Sequence, residues 1–384
     1  MDSITYKCPN CGGGLVFEPE TQKFKCGYCL SVFTEEELKK MTPDSQSASE
    51  AQTTPDSQSA SEAQTTPETQ SASETQMTPE AQTTSEASQT ETPMMVYTCP
   101  SCGAELVTDD TTASTFCYYC HNPVVLSGKL EGAYRPDCVI PFEMDKKKAE
   151  EIFKSWISKK KYVPKDFYSP KQMERLEGIY YPYWLYDCKV DGTIAADATK
   201  RNITQTGAIE YTETSRFKIE RQGTMDVKNV TRNALKKADH QLAEGVLPFD
   251  MEKIHSFEAG YLSGFKAERR DREKEEFDGE VQAEVKEFAV TELQNSITAS
   301  YDHVTVQEHE EKILSSEWKY GMFPVWVLTY KDKGHGDKLY YFAMNGQSGK
   351  ICGVLPVDYK RLAVLFSAVF FPLFILCLIG GYFI

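Results

Sequence analysis

A cysteine pattern written twice constrains this chain more than any other feature. Cys8-Pro9-Asn10-Cys11 is followed after fourteen residues by Cys26-Gly27-Tyr28-Cys29. Cys99-Pro100-Ser101-Cys102 is followed, again after fourteen, by Cys117-Tyr118-Tyr119-Cys120. At a constant offset of 91, Tyr6, Gly12, Leu15 and Val16 recur as Tyr97, Gly103, Leu106 and Val107. One small unit has been duplicated. Two CxxC pairs at this spacing read as four thiolates converging tetrahedrally on a metal, the arrangement of a zinc ribbon. The expected ligands are Cys8, Cys11, Cys26 and Cys29 for one ion and Cys99, Cys102, Cys117 and Cys120 for a second. Zinc is the natural occupant of both. CPxCG knuckles also hold iron in rubredoxin-like sites, and spacing does not choose between them.

A disulfide reading of the twelve cysteines fits less well. Eight sit in CxxC pairs, and the start MDSITYKC is polar, with no apolar core of a signal peptide. Cysteines so arranged in a reducing compartment point to metal. Cys138, Cys188, Cys352 and Cys377 are scattered and read as small buried hydrophobes.

The first ribbon and a short charged helix, Glu35 to Met41, occupy residues 1–41. Leu15-Val16-Phe17 and Lys23-Phe24-Lys25 alternate like a hairpin turning at Glu18 to Thr21. Residues 42–95 form a linker. Thr42-Pro43, Thr54-Pro55, Thr66-Pro67 and Thr78-Pro79 recur every twelve residues, with nine acids and no base between Thr42 and Pro93. A polar repeat of that kind has nothing to bury, so a disordered, self-repelling tether is expected, from which the first ribbon searches a wide volume. Residues 96–127 are the second ribbon. Between Met94 and Gly128 it carries Glu105, Asp109 and Asp110 and no Lys or Arg. Nucleic-acid binding needs cations against phosphate, and the whole chain has a net charge of −15. Nucleic acid is therefore a disfavoured partner.

Residues 128–360 read as an α+β domain with antiparallel sheets that looks internally duplicated. Val139-Ile140-Pro141-Phe142 matches Val246-Leu247-Pro248-Phe249, and Gly178-Ile179-Tyr180-Tyr181-Pro182-Tyr183-Trp184 matches Gly321-Met322-Phe323-Pro324-Val325-Trp326. Apolar spacing predicts helices over Lys146–Lys160 and Lys266–Gln294, the second with a stripe of Phe277, Val281, Val285 and Phe288. Strands are predicted at Lys189–Asp197, Glu210–Arg221, Val227–Val230, Val325–Tyr330, Leu339–Met344 and Lys350–Leu355. The six histidines form no metal or catalytic arrangement, and no phosphate loop or nucleophile elbow occurs. No enzyme is expected. Residues 361–384 hold 23 consecutive uncharged residues after Arg361. As a helix that run is about 35 Å long, enough to cross a bilayer. Lys360 and Arg361 before it place the preceding domains in the cytosol, as a single-pass tail anchor in the cell membrane.

The ordered combination resembles a bacterial family typical of Gram-positives. It comprises two CPxCG ribbons, YRPDxVIPF from Tyr134 to Phe142, GxYxPxW from Gly178 to Trp184, the Pro248 to Phe265 segment and a terminal membrane helix. Members carry labels such as TFIIB-type zinc ribbon-containing protein or helicase-like zinc finger protein. The resemblance implies a membrane-bound companion of stomatin/flotillin-like (SPFH) or phage-shock-protein-A-like proteins in a membrane-stress module. The expected function is an adaptor whose ribbons dock protein partners. The alternative is a membrane-tethered regulator that binds nucleic acid. The repeat linker departs from the family's pattern and argues against the ribbons acting as one rigid pair.

Overall fold

The computed structural model describes residues 3–41, 94–332 and 338–382. Residues 42–93 of the linker expected at 42–95 lie outside them, as does His335, while Met94 and Met95 belong to the first strand of the second ribbon. The first ribbon is a three-stranded antiparallel sheet of β1 (Leu15–Glu18), β2 (Lys23–Cys26) and β3 (Val32–Phe33), closed by α1 (Glu35–Met41). Alternation puts Leu15, Phe17, Phe24 and Cys26 inside. The second ribbon has a hairpin of β4 (Met94–Thr98) and β5 (Glu105–Asp109), then β6 (Thr112–Phe116) and β7 (Pro123–Val125).

The body follows as β8 (Cys138–Val139), α2 (Lys146–Ser158), α3 (Pro170–Met173), β9 (Glu177–Thr206), β10 (Ile209–Asn233), α4 (His240–Gly245), β11 (His255–Ser256), β12 (Lys266–Glu268), α5 (Asp278–Thr298), β13 (His303–Asp332), β14 (Lys338–Asn345) and β15 (Ile351–Gly353). The chain then runs into α6 (Tyr359–Tyr382). The class is mixed α and β, as the sequence predicts. The main sheet is not purely antiparallel, however, since β12 runs parallel to β9 and β8 to β13. The strands are also far longer than their apolar patterns suggest. β9 and β13 each span 30 residues, so fully extended either would reach about 100 Å. They pair antiparallel from Glu177 to Thr199, and β10 covers the other edge of β9. Beyond the body these three form a narrow blade whose strands read polar, because much of their surface faces water. A two-residue turn, Gly207-Ala208, joins β9 to β10 with Gly207 at φ +66°, a conformation glycine takes without strain.

The helix predicted over Lys266–Gln294 forms only in part. Lys266–Glu268 is strand β12, and α5 begins at Asp278. The arginine-rich stretch between them is held by tertiary contacts. Arg270 is buried between Tyr134, Trp184 and Tyr320 and ion-pairs with Glu273. The buried stripe of α5 is Phe277, Val281, Val285, Ala289, Leu293 and Ile297, while Phe288 is exposed. A period near four carries the stripe past Phe288, and its last residues pack on Ile194 and Ala196 of the blade. Helix α2 lies where its pattern predicts, with Ala149, Phe153 and Ile157 buried and Asp145 capping its first turn.

The core centres on aromatics from distant segments. Phe142 stacks on Phe265 at 4.1 Å and meets Tyr180 and Trp326 edge-on. The matched segments Gly178–Tyr183 and Gly321–Trp326 pair antiparallel, with Gly178 opposite Trp326 and Gly321 opposite Tyr183. Their flanks differ. Cys138–Val139 forms β8, whereas Val246 follows the end of α4, so this pairing does not establish a duplication. Cys138 and Cys188 are buried as expected, but Cys352 is partly exposed, and Cys377 is exposed on α6.

Candidate metal centres

All four knuckles have the same backbone form. The amide after the second cysteine of each pair donates to the carbonyl of the first: Gly12 to Cys8, Leu30 to Cys26, Gly103 to Cys99 and His121 to Cys117, at 2.8–3.1 Å. The first cysteine's amide then donates to the carbonyl two residues past the second, at 2.6–3.0 Å. That curl puts the residue after each pair in the left-handed region, with φ from +57° to +76°. Glycine fills two of the four positions. Leu30 and His121 take the same conformation with a side chain, at a cost of about 1–2 kcal/mol each. His121 is exposed and lies outside the thiol cluster.

The curls bring each set of four sulfurs together, with all ligand atoms within 4.8 Å of one another. Cys8 and Cys29 Sγ stand 3.5 Å apart, Cys11 and Cys26 3.4 Å, and the Cys99–Cys120 and Cys102–Cys117 pairs 3.7 Å. Zn–S bonds of about 2.3 Å in a tetrahedron require sulfurs about 3.8 Å apart, so the donor sets fit. The distances are far above a disulfide bond of about 2.05 Å, and all eight cysteines are free. The local field splits each set. Burial and the neighbouring sulfurs push the Cys120 thiol up to about 12. At Cys11 the Gly13 amide is outweighed by neighbouring sulfurs, which raise that thiol likewise. Others are held toward thiolate. The Ser31 hydroxyl and amide beside Cys29 hold its thiol down to about 6. Amides of Cys29 and Tyr28 lower that of Cys26.

The ribbons are seated differently. The first docks on the body through Phe17 and Phe24, which pack on the Tyr261 ring, with Phe17 at 5.1 Å. The Phe17 amide donates to the Ser263 carbonyl at 2.9 Å, and the buried Ser263 hydroxyl donates to the Leu15 carbonyl at 2.6 Å. Gln22 Nε2 donates to the Phe142 carbonyl. The second ribbon is continuous with the body's sheet. β12 takes over the edge of β9 at Ile179–Tyr180, where β10 has left it, and β6 pairs with β12. Its acids are engaged: Asp109 with Lys237 at 2.8 Å, and Asp110 with Arg269.

The ribbons also touch each other. Ile4 and Val125 exchange two backbone hydrogen bonds, and Thr5 Oγ1 donates to the Pro123 carbonyl. The expected freely searching first ribbon is therefore corrected. The linker separates the ribbons in sequence, but the body's Ala259–Phe265 segment supplies an apolar seat that holds them side by side. Those body residues were recognisable as a segment, but nothing in their pattern marked them as a seat.

Helix α6 is the one described helix long and apolar enough to cross a membrane, and none of its apolar window is buried. A core helix of similar composition would be covered. No family profile matches the chain, and no solved structure matches it. The uncharacterized protein YdjG of Bacillus subtilis (strain 168) is 27% identical over 245 residues, covering 64% of this chain and 71% of that one.

Proposed function

We propose that this chain is a membrane-anchored adaptor that holds two metal-built ribbons at the cytosolic face and docks protein partners on them. The observation that carries this reading is the exposure of large apolar side chains at the second knuckle of each ribbon. Tyr28 and Leu30 are 69% and 67% exposed, and Tyr118 and Tyr119 are 72% and 74%. These side chains sit on rigid metal-braced turns, so little conformational entropy is lost when a partner covers them. Tyrosine suits such a surface, with an apolar ring and a polar tip. The ribbons themselves offer phosphate little footing, since the second has no basic residue and in the first Lys25 is paired with Glu18, leaving Lys7 and Lys23. Helix α6 serves as the anchor, with Lys360 and Arg361 on its cytosolic side. SPFH or phage-shock-protein-A-like proteins are the partner class proposed, and two zinc ions the cofactors.

The test is capture of partners from detergent-solubilised membranes by the full chain and by two surface variants, Tyr28→Ser with Leu30→Ser and Tyr118→Ser with Tyr119→Ser. Both leave every sulfur in place. The adaptor reading expects at least one specific partner to be lost with normal metal content. An unchanged partner set in both variants removes the docking role. Salt-sensitive binding of DNA or RNA by the same protein replaces it with the regulator.

A further inference from the structure

The chain is acidic overall, yet one stretch reverses the sign. From Lys146 to Arg175 there are ten Lys and Arg against four Asp and Glu, in a chain of net charge −15. The fold brings this stretch to the root of α6. The amide of Asp358, just before the helix, donates to the carbonyl of Tyr162 at 2.8 Å. Lys159, Lys160 and Lys161 directly precede Tyr162, and Lys165 follows three residues later. All four are exposed. Adjacent Cα atoms are about 3.8 Å apart, so these lysines lie within a side chain's length or two of the helix start.

The nearby acids do not neutralise them. Glu150 pairs with Lys154, Asp358 with Arg361, and Asp166 accepts from the Tyr330 hydroxyl. Among the described residues, Lys147, Lys148, Lys159, Lys161 and Lys165 form no ion pair. Lys160 lies over the Trp156 ring at 5.4 Å. Beside them, between α2 and the strand leading to α6, opens a cleft of about 550 Å³. Lys148, Ile152, Trp156, Lys159 and Lys350 line it, with Glu151 also in its wall. Lysines around a tryptophan next to a membrane helix match an interface with negative headgroups above and acyl chain below.

We propose that this lysine-rich face is a second membrane contact, which lays the body against anionic lipid headgroups beside α6. The proposal rests on α6 being the anchor. A single spanning helix leaves the body free to swivel on its short connection. A charged face engaged with the bilayer fixes its orientation, and with it the side on which the two ribbons are presented. It also makes that orientation responsive to the local density of acidic lipid.

The experiment reconstitutes the full chain into vesicles of neutral phosphatidylcholine, or of phosphatidylcholine with phosphatidylglycerol, and follows lysine labelling residue by residue. Lys159, Lys160, Lys161 and Lys165 are expected to label at least about fivefold more slowly on the anionic vesicles, the factor one lysine contributes near such a surface. High salt should abolish the difference. Lys200 and Lys218, on the distant β9–β10 hairpin, should be indifferent to lipid. Lys360, in the first turn of α6, controls for mere proximity. Slowing of Lys360 alone, or equal rates on both vesicles, overturns the lipid face. Alkaline carbonate separates the two readings. A chain that resists extraction but shows no lipid dependence loses only this proposal. A chain that is extracted loses the anchor and this proposal together.

Discussion

The two ribbons share a motif, a four-sulfur cluster and a knuckle backbone, yet the body treats them differently. The first keeps its own three-stranded sheet and joins the body by side-chain packing, its Phe17 and Phe24 entering the body's core, and by a few hydrogen bonds. The second shares β6 and β7 with the body's ten-stranded sheet. One sequence pattern thus gives a docked module in one place and part of a sheet in the other. Local cysteine spacing sets the knuckle, and the residues beyond it decide the rest. After its last metal ligand the first ribbon runs on through α1 toward the linker. The second runs through Pro123-Val124-Val125, which has a strand to pair with.

The sharpest way to break this comparison is to remove one metal at a time. Cys26→Ser and Cys117→Ser should each lower metal content from two ions to one. Structural zinc contributes about 10–16 kcal/mol to small apo-unfolded units, so either ribbon loses its fold. Only the Cys117 variant should strip strands from the body. Its melting temperature should fall by on the order of 10 °C or more, taking about 2–4 °C per kcal/mol for a domain of this size. The Cys26 variant should lower it much less. Equal shifts in calorimetry would mean that both ribbons are structural parts of the body.

The seat of the first ribbon comes next. Phe17 is 1% exposed and meets Phe24 and Tyr261. Phe17→Ala should cost about 3–5 kcal/mol, as for other buried phenylalanines. Because that energy is shared between the ribbon's own core and its seat, the readout must be local. Hydrogen exchange at the residue 17 amide, which bonds to Ser263, should accelerate, while amides in β13 stay protected. Acceleration throughout β13 would show the first ribbon to be integral to the body.

The knuckles are where the two ribbons should not differ. Gly12 at φ +74° and Gly103 at φ +76° have no atom within 4 Å of where a Cβ would stand. Alanine at either therefore costs only the left-handed backbone penalty, about 1–2 kcal/mol. Metal affinity should fall by a similar factor of roughly five to thirty in Gly12→Ala and Gly103→Ala. A large inequality, measured by competition with a chelator, would mean that the seat reaches into the metal site.

The two four-cysteine clusters were legible because knuckle geometry is local. Eight residues and their spacing specify them with little help from the fold. Helices α1 and α2 and the hairpin of the first ribbon were legible for the same reason. The blade was legible only in part. The predicted strands Lys189–Asp197 and Glu210–Arg221 fall inside β9 and β10. The start of β13, from His303 to Lys312, has few apolar residues and was missed, because pairing with β9 rather than a core holds it. The seat at Ala259–Phe265 was hidden too, since Tyr261 and Ser263 gain their role only from a ribbon more than 200 residues earlier. The acids of the second ribbon were read through total charge, as an argument against nucleic acid. In the fold, Asp109 and Asp110 are spent on the body.

That pairing gives the smallest expected effect. Asp109 accepts from Lys237, which also reaches Glu268 at 2.8 Å. Burial alone would raise the Asp109 carboxyl, but Lys237 and the Thr112 hydroxyl and amide outweigh it and hold the group at about 2. Lys237 is nearly half exposed, so solvent screens the pair, and a double-mutant cycle of Asp109→Asn and Lys237→Met should give a coupling of about 1 kcal/mol or less at neutral pH. The sign of the pH dependence follows from the depressed carboxyl. Its contribution is complete above the unfolded value near 3.9 and is lost as pH falls through about 2. Thiolates release metal as they take up protons, well above that range, so acid should dismantle the ribbons before it reaches this ion pair. Metal release on acidification should therefore have the same midpoint in Lys237→Met as in the parent chain. A midpoint that moves with Lys237 would make the ion pair, rather than the sulfurs, the acid-sensitive joint between the second ribbon and the body.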